Sequence, residues 1–327
     1  MKSGPMTTIR WGMIGCGDVT ERKSAPAYQQ VEGFALHGVF SRTRAKAEDY
    51  ATRHGVPQIF DSAAALIHAP DIDAVYIATP PDSHEAYALE VARAGKPCCI
   101  EKSMAPDRAA SLRIRDAFAD RGLPLFIAYY RRSLPRFRQV KAWLDDGAIG
   151  TVRHIHWALT KPASPADLSD ANWRVDATVA PGGYFDDLAS HGLDLFSWLF
   201  GEVEDVAGFA VNQQGRYSAA DAVTGCWLHK GGVTGSGSWN FGAAERQDRV
   251  EITGSAGHII FSIFDEEPFR LVCGDEHIET VIANPPTIQY FYVEAMRDHL
   301  AGRAKHPSTG ESGAHTAWVM DRILSRR

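Results

Sequence analysis

Short apolar runs alternate with amphipathic segments along the first 129 residues of the chain. The apolar runs predict six strands, at residues 9–14, 35–40, 58–60, 74–78, 98–101 and 125–129. The amphipathic segments predict helices at residues 43–54, 83–94 and 107–121, each followed by a glycine that can end a helix. Strands that alternate with helices form βαβ units with right-handed crossovers, so the pattern predicts an α/β fold with a doubly wound parallel sheet.

The pattern changes after Tyr129. A helix is predicted at residues 136–146, a strand at 152–159 and a longer helix at 186–200. From residue 203 to about residue 282, strand-like segments follow one another without a helical run, and helices at 288–300 and 311–325 close the chain. The strand-rich stretch predicts a large, mainly antiparallel sheet, and we therefore expect two domains, residues 1–128 and 129–327.

Composition narrows the class of protein. The chain has 327 residues, of which 45% are hydrophobic and 23% charged, enough to bury a core in each of two domains. Its formal net charge is −6 without a basic block, which argues against nucleic acid or an anionic membrane as its partner. Because it has no apolar signal core and no apolar run near the ~20 residues that span a bilayer, we expect a cytoplasmic protein. The five cysteines show no paired spacing, which supports neither a disulfide framework nor a zinc site.

A glycine turn follows the first predicted strand directly, at Gly15-Cys16-Gly17. Backbone N–H groups and the positive end of a helix dipole can face a phosphate at such a turn. Gly15 permits the tight turn and Gly17 the close approach of a pyrophosphate, while Thr20 stands where the usual pattern has a third glycine. An ordinary strand-to-helix turn is the alternative. The residues predicted to bind a dinucleotide here are Gly15, Gly17, Asp18 and Val19.

Ser41 and Arg42 follow the second predicted strand. Ser41 is 24 residues past Gly17, near the place where an acidic residue would hold the ribose of NAD. A ribose diol favours a carboxylate acceptor, whereas a 2′-phosphate favours a bidentate donor such as a guanidinium. The sequence therefore favours NADP as the cofactor. NAD is the alternative, if Ser41 merely caps the next helix and Arg42 lies on the adenine without contacting a phosphate.

Two further strand ends carry candidate cofactor residues. Thr79 and Pro80 open a proline-stiffened turn after the fourth strand, which is predicted to wall the nicotinamide. His84, at the end of this turn, either reaches the cofactor or is a partly exposed histidine at a helix start. Glu101 and Lys102 follow the fifth strand, and because neighbours in a strand point to opposite faces, Lys102 can aim at a ligand. A solvated strand end is the alternative.

Asp187 and His191 are four residues apart within the predicted helix at 186–200. This spacing puts both side chains on one face, about 5–6 Å apart at Cβ. A carboxylate beside an imidazole orients it and raises its pKa, which suits a proton shuttle near neutral pH. Asp194 could join the same face. A surface charge pair is the alternative, and without a third ligand nearby we predict no metal.

Together these motifs resemble the Gfo/Idh/MocA oxidoreductases over essentially the whole chain. The resemblance rests on Gly15-Cys16-Gly17, Thr79-Pro80, Glu101-Lys102, the stretch at 130–135, GGYFDDLASHGLD at 182–194, and the turn at 254–257. It implies an N-terminal Rossmann domain and a C-terminal α/β domain with an open-faced sheet, through which members form dimers or tetramers. It also implies nicotinamide-dependent oxidation or reduction at a carbon of a sugar, cyclic polyol or related compound.

The resemblance also implies roles for individual residues. Lys102 matches the lysine that binds the substrate hydroxyl beside the nicotinamide, and Glu101 the residue that faces the nicotinamide ribose. His191 matches the catalytic acid/base and Asp187 its partner. Ser103 departs from the family's proline, before which the peptide bond is often cis. Because a cis bond before another residue costs about 3–4 kcal/mol, we expect the Lys102-Ser103 bond to be trans.

The predicted reaction is hydride transfer in which Lys102 polarises the reacting oxygen and His191 exchanges the hydroxyl proton. Arg132, Trp173 and Arg174 are predicted to line the substrate side, since an aromatic face with donors suits a sugar ring, although Trp173 could equally anchor its loop. Two other functions stay open. One is a nicotinamide-dependent glycoside hydrolase of the same fold, and the other is a non-catalytic nucleotide-binding sensor, which would have no need of a proton shuttle.

Overall fold

The computed structural model of the chain describes residues 8–169 and 172–325. These residues form two compact units. The first comprises the described residues up to Leu134 together with Pro285–Ala314, and the second comprises Pro135–Asn284 together with the described residues from His315 onward. None of the helices in these ranges has the length and apolar character needed to cross a membrane.

A six-stranded parallel sheet forms the centre of the first unit. Its strands are β1 (Ile9–Ile14), β2 (Phe34–Phe40), β3 (Gln58–Ile59), β4 (Ala74–Ile77), β5 (Cys98–Ile100) and β6 (Leu125–Ile127), in the spatial order β3-β2-β1-β4-β5-β6. All neighbouring pairs are parallel, and the order reverses at β1, which pairs with β2 on one side and β4 on the other. The predicted doubly wound sheet is confirmed. Ligands of such sheets bind at the carboxyl ends of the strands, at this switch point.

Helices pack on both faces of this sheet. They are α1 (Asp18–Arg22), α2 (Ala25–Gln30), α3 (Arg44–His54), α4 (Ala63–His68), α5 (His84–Arg93), α6 (Arg108–Ala119) and, from the later segment, α9 (Tyr290–Leu300). Alternate residues of β1 enter opposite cores, Trp11 one and Ile14 the other. The core around Trp11 includes Met296 of α9. The sequence assigned this segment to residues 129–327, because the apolar face of a helix does not reveal which core buries it.

An eight-stranded sheet forms the centre of the second unit. Its strands are β7 (Val152–Thr160), β8 (Val203–Val211), β9 (Ala222–His229), β10 (Thr234–Asn240), β11 (Gln247–Gly254), β12 (Gly257–Phe261), β13 (Phe269–Cys273) and β14 (Glu276–Thr280), in the order β14-β13-β12-β11-β7-β10-β9-β8. Neighbouring strands are antiparallel except for the parallel pair β7 and β10. The predicted large, mainly antiparallel sheet is confirmed.

Three helices complete the chain: α7 (Pro135–Asp145) and α8 (Tyr184–Phe200) in the second unit, and α10 (Gly310–Ile323), which has residues in both units. Helix α8 packs on one face of the eight-stranded sheet, where the rings of Trp157 and Phe196 lie 5.8 Å apart between centroids. A Cβ on Gly192 would lie 2.4 Å from the Trp157 ring, so glycine there permits the close approach of α8 to β7.

Each predicted helix and strand lies within two residues of an observed one at either end. The sequence pattern does not predict α2 and α4. Each has six residues, which is less than two helical turns and too short for a period of 3.6 to be recognised.

Candidate active site

The turn after β1 has the geometry that its two glycines predict. Gly15 has a φ of +106°, and a Cβ on it would lie 2.7 Å from the carbonyl oxygen of Ala78, so only glycine fits. Gly17 is the N-cap of α1, which has no side-chain cap, and a Cβ on Gly17 would meet nothing within 4 Å. The backbone of this turn is therefore open to a close-lying anionic group.

Asp18, Val19 and Thr20 begin α1, and they are exposed, half-buried and buried in that order. The hydroxyl of Thr20 donates a 2.7 Å hydrogen bond to the carbonyl oxygen of Gly17, which fixes the turn from inside. Burial raises the pKa of the Cys16 thiol to about 11, so this side chain adds no negative charge to the turn at neutral pH. Asp18, which is among the residues predicted to bind the dinucleotide, has its carboxyl group exposed to solvent.

The two arginines after β2 differ in their partners. Arg44 pairs with Glu48 at 2.8 Å and also with Asp61. Arg42 is exposed, and within residues 8–169 and 172–325 its guanidinium has no hydrogen bond or ion pair. The hydroxyl of Ser41 accepts a 3.4 Å hydrogen bond from the backbone of Thr43, which is itself the N-cap of α3. Ser41 therefore does not cap the next helix.

His84 connects the loops that follow β4 and β5. Its ring is fully buried, with Nε2 2.7 Å from the carbonyl oxygen of Thr79, and Nδ1 3.0 Å from that of Ser103 and 3.3 Å from that of Met104. Burial lowers the pKa of this imidazole. The prediction of a partly exposed histidine is wrong, because the ring at the start of α5 turns inward onto backbone carbonyl groups. Its contact with the cofactor stays a prediction.

Thr79 and Pro80 lie between β4 and a 3₁₀ turn at Pro81–Ser83. The hydroxyl oxygen of Ser83 lies within hydrogen-bond distance of Oγ1 of Thr79, at 2.7 Å, and of the carbonyl oxygen of Pro80, at 2.9 Å. These contacts stay within the turn. The turn after β4, which the sequence predicts to be rigid, is therefore stabilised by side-chain hydrogen bonding as well as by its proline rings.

Glu101 is buried and held by three donors. Its carboxylate accepts hydrogen bonds from the Tyr76 hydroxyl at 2.7 Å, from Nε2 of Gln289 at 2.9 Å, and from the backbone N–H of Lys102 at 3.2 Å. The sequence reading missed Tyr76 and Gln289. In the parallel pairing Tyr76 stands opposite Cys99, and residues 99 and 101 share a face, but the sequence predicts the strands without their register. Nothing in the sequence pattern points to residue 289.

The peptide bond between Lys102 and Ser103 is cis, so the predicted trans bond is wrong. The prediction weighed only the preference of an isolated peptide unit, about 3–4 kcal/mol. It left out the surroundings of the folded chain, in which the carbonyl groups of Ser103 and Met104 both face the buried ring of His84.

In the second unit, α8 carries Asp187 and His191 one helical turn apart. Helix α8 starts after Gly183, which has a φ of +65° and where a Cβ would lie 2.2 Å from the carbonyl oxygen of Ala220. The carboxylate of Asp187 accepts a 2.6 Å hydrogen bond from Nε of Arg174 within an ion pair. The sequence placed Arg174 on the substrate side but did not predict this pair.

A short turn positions Arg174. The backbone N–H of Arg174 donates a 3.3 Å hydrogen bond to the side chain of Asn172, which caps the 3₁₀ turn Trp173–Val175. The guanidinium carbon lies 4.6 Å from the centroid of the Trp173 ring, a cation–π contact. The indole of Trp173 therefore supports the guanidinium of Arg174, and both residues are half-buried.

The surroundings of His191 are apolar on one side. His191 is 6% exposed, and its ring makes a T-shaped contact with Phe264, with ring centroids 5.8 Å apart. Asp194, which could have joined the same face, is fully buried and accepts a 3.1 Å hydrogen bond from the Thr316 hydroxyl. Asp194 thus has a structural partner on α10.

Arg132, also predicted on the substrate side, belongs to the first unit and is 5% exposed. Its Nη1 donates a 2.7 Å hydrogen bond to the carbonyl oxygen of Pro307, so part of this guanidinium serves the packing of the 285–314 segment. Across the described parts of the chain, the side chains of His, Cys, Asp and Glu form no group of three or more that could hold a metal ion.

Comparison with known proteins agrees with this architecture. A family model described as "Oxidoreductase family, NAD-binding Rossmann fold" matches residues 9–129, and one described as "GFO/IDH/MocA C-terminal domain" matches residues 137–260. The chain is 36% identical over 316 residues to "Oxidoreductase P35" of Formosa agariphila, a match that covers 96% of this chain and 97% of that protein.

Two further similarities involve proteins whose names state a reaction. The chain is 32% identical to an inositol 2-dehydrogenase of Acidothermus cellulolyticus, over 62% of this chain and 57% of that one. Among solved structures, a 3-ketoreductase from Actinomadura kijaniata in complex with NADP and TDP-benzene has a TM-score of 0.83 at 23% sequence identity, with 97% of each chain covered. At that identity the likeness is one of fold.

Proposed function

The chain belongs to the Gfo/Idh/MocA family of oxidoreductases, and we propose that it transfers a hydride between a nicotinamide cofactor and a carbon of a sugar, cyclic polyol or related compound. The observation that carries this proposal is the placement of Asp187 and His191 one turn apart on α8, in a chain whose glycine turn is open to a phosphate. Similarity to an inositol dehydrogenase and to a ketoreductase supports a polyhydroxy substrate.

The first unit fits a dinucleotide. Glycine is the only residue type that fits at position 15 of the turn, and Gly17 leaves room for a pyrophosphate against the backbone. When bound, the nicotinamide supplies the acceptor or donor of the hydride. The residues that would hold the cofactor are Gly15, Gly17, Asp18, Val19, Ser41, Arg42, Thr79, Pro80, His84, Glu101 and Lys102.

NADP is the proposed form of the cofactor. Arg42 supports it, because its exposed guanidinium has no partner in the described parts of the chain and is available to a 2′-phosphate. Arg44 is less suited to this role, since Glu48 and Asp61 already compensate its charge. The NADP in the structure of the Actinomadura ketoreductase is further support, and NAD is the alternative.

Lys102 is proposed to polarise the reacting oxygen. It follows β5 at the carboxyl edge of the sheet, where ligands of such folds bind. An ammonium there donates a hydrogen bond to the oxygen and stabilises the negative charge that develops on it. Glu101 beside it is held by Tyr76 and Gln289, which suits a fixed carboxylate facing the hydroxyl groups of a ribose.

His191 is proposed as the acid/base. In the direction of oxidation the neutral imidazole accepts the hydroxyl proton, and in the direction of reduction the imidazolium returns it. Asp187, one turn earlier on α8, orients the ring and stabilises its charged form. Trp173 and Arg174 are proposed to face the substrate, with the indole under a sugar ring and the guanidinium on a hydroxyl. Arg132 stays a predicted substrate residue.

A homodimer or homotetramer through the outer face of the eight-stranded sheet is part of the proposal. Phe209 and Val211 of β8 support it, because their side chains are 76% and 50% exposed although they are large and apolar. Analytical ultracentrifugation over a range of protein concentrations tests it. A dimer or tetramer that Phe209→Lys weakens is expected, and a monomer at all concentrations would contradict it.

The experiment that tests the function is a panel of sugars, inositols and keto-sugars, each followed with NAD and NADP through the nicotinamide absorbance. Net oxidation or reduction of the cofactor with at least one substrate is expected. Turnover without net change in the cofactor would instead indicate the hydrolase reaction. Tight cofactor binding without turnover of any member, in either direction, would indicate a sensor.

A further inference from the structure

We infer that Arg174 tunes the proton exchange at His191 through its ion pair with Asp187, so that Arg174 is a positioning residue of the acid/base pair in addition to a residue on the substrate side. The inference rests on the proposed function, in which His191 exchanges the substrate proton. It concerns a contact within one unit and is independent of the position of the other.

The geometry assigns one part of the guanidinium to Asp187. Nε of Arg174 lies 2.6 Å from Oδ2 of Asp187, and the side chain of Asp187 is only 12% exposed. A charge-assisted hydrogen bond this short, on a largely buried carboxylate, is stronger than one between exposed groups. The Nη groups of Arg174 have no hydrogen bond within residues 8–169 and 172–325, so they are available to a substrate oxygen.

The turn that carries Arg174 limits where the guanidinium can go. Asn172 caps this turn through the backbone N–H of Arg174, and the indole of Trp173 lies against the guanidinium. Both contacts leave Nε directed at the carboxylate. A guanidinium fixed in this way is a permanent feature of the electrostatics around Asp187, in contrast to a mobile surface arginine, whose charge would be screened.

The consequence for His191 follows from charge compensation. A carboxylate with full negative charge holds the proton of a neighbouring imidazolium, and a cation on the same carboxylate weakens that hold. With Arg174 in place, His191 gives up its proton more readily. Without it, Asp187 loses the positive charge of this ion pair and holds the imidazolium more strongly, so the midpoint of the titration that controls turnover moves to higher pH.

The other acidic residues of this stretch that the structure describes have partners of their own. Asp194 on α8 is engaged by Thr316 of α10, and Asp186 accepts a 2.8 Å hydrogen bond from the backbone N–H of Gly182. Phe264 contacts His191 but carries no charge.

The test is the pH dependence of kcat and kcat/KM for Arg174→Met, Arg174→Lys and the wild type, on the best substrate of the panel. Arg174→Met keeps the length and apolar packing of the side chain but removes the charge. The limb of its pH profile that reports His191 is expected about one pH unit higher than that of the wild type. Arg174→Lys keeps the charge, so its limb is expected close to the wild-type position. The pH profiles for oxidation and for reduction are expected to shift in the same direction, because both depend on the protonation of the same imidazole.

Two controls make the shift specific. Asp187→Asn removes the carboxylate, and adding Arg174→Met to that variant is expected to give no further shift, since the ion pair is already lost. Arg249→Met removes a cation from the exposed pair Arg249–Glu251 of the same unit, and is expected to leave the limb where it is. An equal shift in Arg249→Met would mean that general surface charge, and not Asp187, causes it.

The outcomes separate this inference from the proposed function. An Arg174→Met enzyme with a raised KM but an unchanged pH limb would overturn the inference and leave a substrate contact only. If His191→Ala turns over like the wild type, the proposed function itself fails. Thermal unfolding of each variant shows whether it is folded. If Arg174→Met is not folded, Arg174→Gln, which also removes the charge, is compared with Arg174→Lys, and a limb at the same pH in both variants would contradict the inference.

Discussion

Gln289 donates a 2.9 Å hydrogen bond to the carboxylate of Glu101 across 188 positions of sequence, and its side chain is fully buried. The bond joins the start of α9 to the end of β5 within the first unit. Together with the hydroxyl of Tyr76, it leaves the carboxylate one fixed orientation. The carboxylate of Glu101, which we propose to face the nicotinamide ribose, is therefore oriented by residues from distant parts of the chain.

Replacing Gln289 should affect both stability and cofactor affinity. Gln289→Met keeps the length of the side chain but removes one donor from a buried carboxylate, which is expected to lower the free energy of unfolding by about 1–3 kcal/mol. The Kd for NADP is expected to rise, since Glu101 loses its orientation. Urea unfolding and fluorescence titration measure the two effects. Gln29→Met, at a surface contact with the His54 carbonyl, is the matched control, and cofactor affinity unchanged in both variants would contradict the role given to Glu101.

Lys102 and His191 should matter for turnover and much less for cofactor binding. Lys102→Ala and His191→Ala are each expected to lower kcat by at least about 100-fold, because each removes a group that acts on the reacting oxygen. Steady-state kinetics and cofactor titration measure this. Lys96→Ala, at the amino end of β5, is the lysine control. Wild-type turnover in both active-site variants would mean that these roles are misassigned.

Arg42 should decide between the two nicotinamide cofactors. Arg42→Ala is expected to reduce kcat/KM with NADP about 10-fold or more, by loss of a charge-assisted hydrogen bond to the 2′-phosphate, and to change kcat/KM with NAD little. Arg44→Ala is the control, because its partners Glu48 and Asp61 lie within the protein. A wild-type enzyme with higher catalytic efficiency for NAD than for NADP would contradict the proposed preference.

The pH dependence of stability should carry the signature of His306. Burial lowers the pKa of this histidine from 6.5 to about 4. The unfolded chain therefore binds a proton at this histidine at a higher pH than the folded chain does. The contribution of His306 to the free energy of unfolding is fully present above about pH 6.5 and is lost as the pH falls toward 4. Burial also lowers the pKa of His84 and His229, which acts in the same direction.

Urea unfolding between pH 7.5 and 4.5 checks this expectation. His306→Gln should be less stable than the wild type at pH 7.5, because it loses the contacts with the carbonyl groups of Ser308 and Tyr292. The difference should narrow as the pH falls, since only the wild type has this titration. His68→Gln, at an exposed histidine, is the control. A difference that stays constant with pH would contradict the sign of the shift.

The elements that the sequence predicted are those with a local signal. The run from Ile9 to Ile14 ends at a glycine that no other residue can replace, because Ala78 lies against it. The placement of Asp187 and His191 one turn apart on a helix needs only the period of an α-helix. These features required no knowledge of what lies elsewhere in the chain.

The errors concern residues whose environment comes from distant segments. Of the two accounts of His84, partial exposure is wrong, because three backbone carbonyl groups from two loops surround its ring. The Lys102-Ser103 bond was judged by its local preference alone. Gln289 lies in a stretch without a recognisable motif, and Arg174 was predicted only as a substrate residue. Their partners Glu101 and Asp187 are identified only when the fold brings them together. A local sequence pattern does not predict contacts between residues that are distant in the chain.

The most direct test of the proposed chemistry is a crystal structure of the enzyme with NADP and a substrate that it turns over. The expected result has Nζ of Lys102 and a ring nitrogen of His191 each within about 3.2 Å of the same substrate oxygen, on the carbon that faces the nicotinamide. A structure in which either group lies away from that oxygen, with the substrate bound against the nicotinamide, would contradict it.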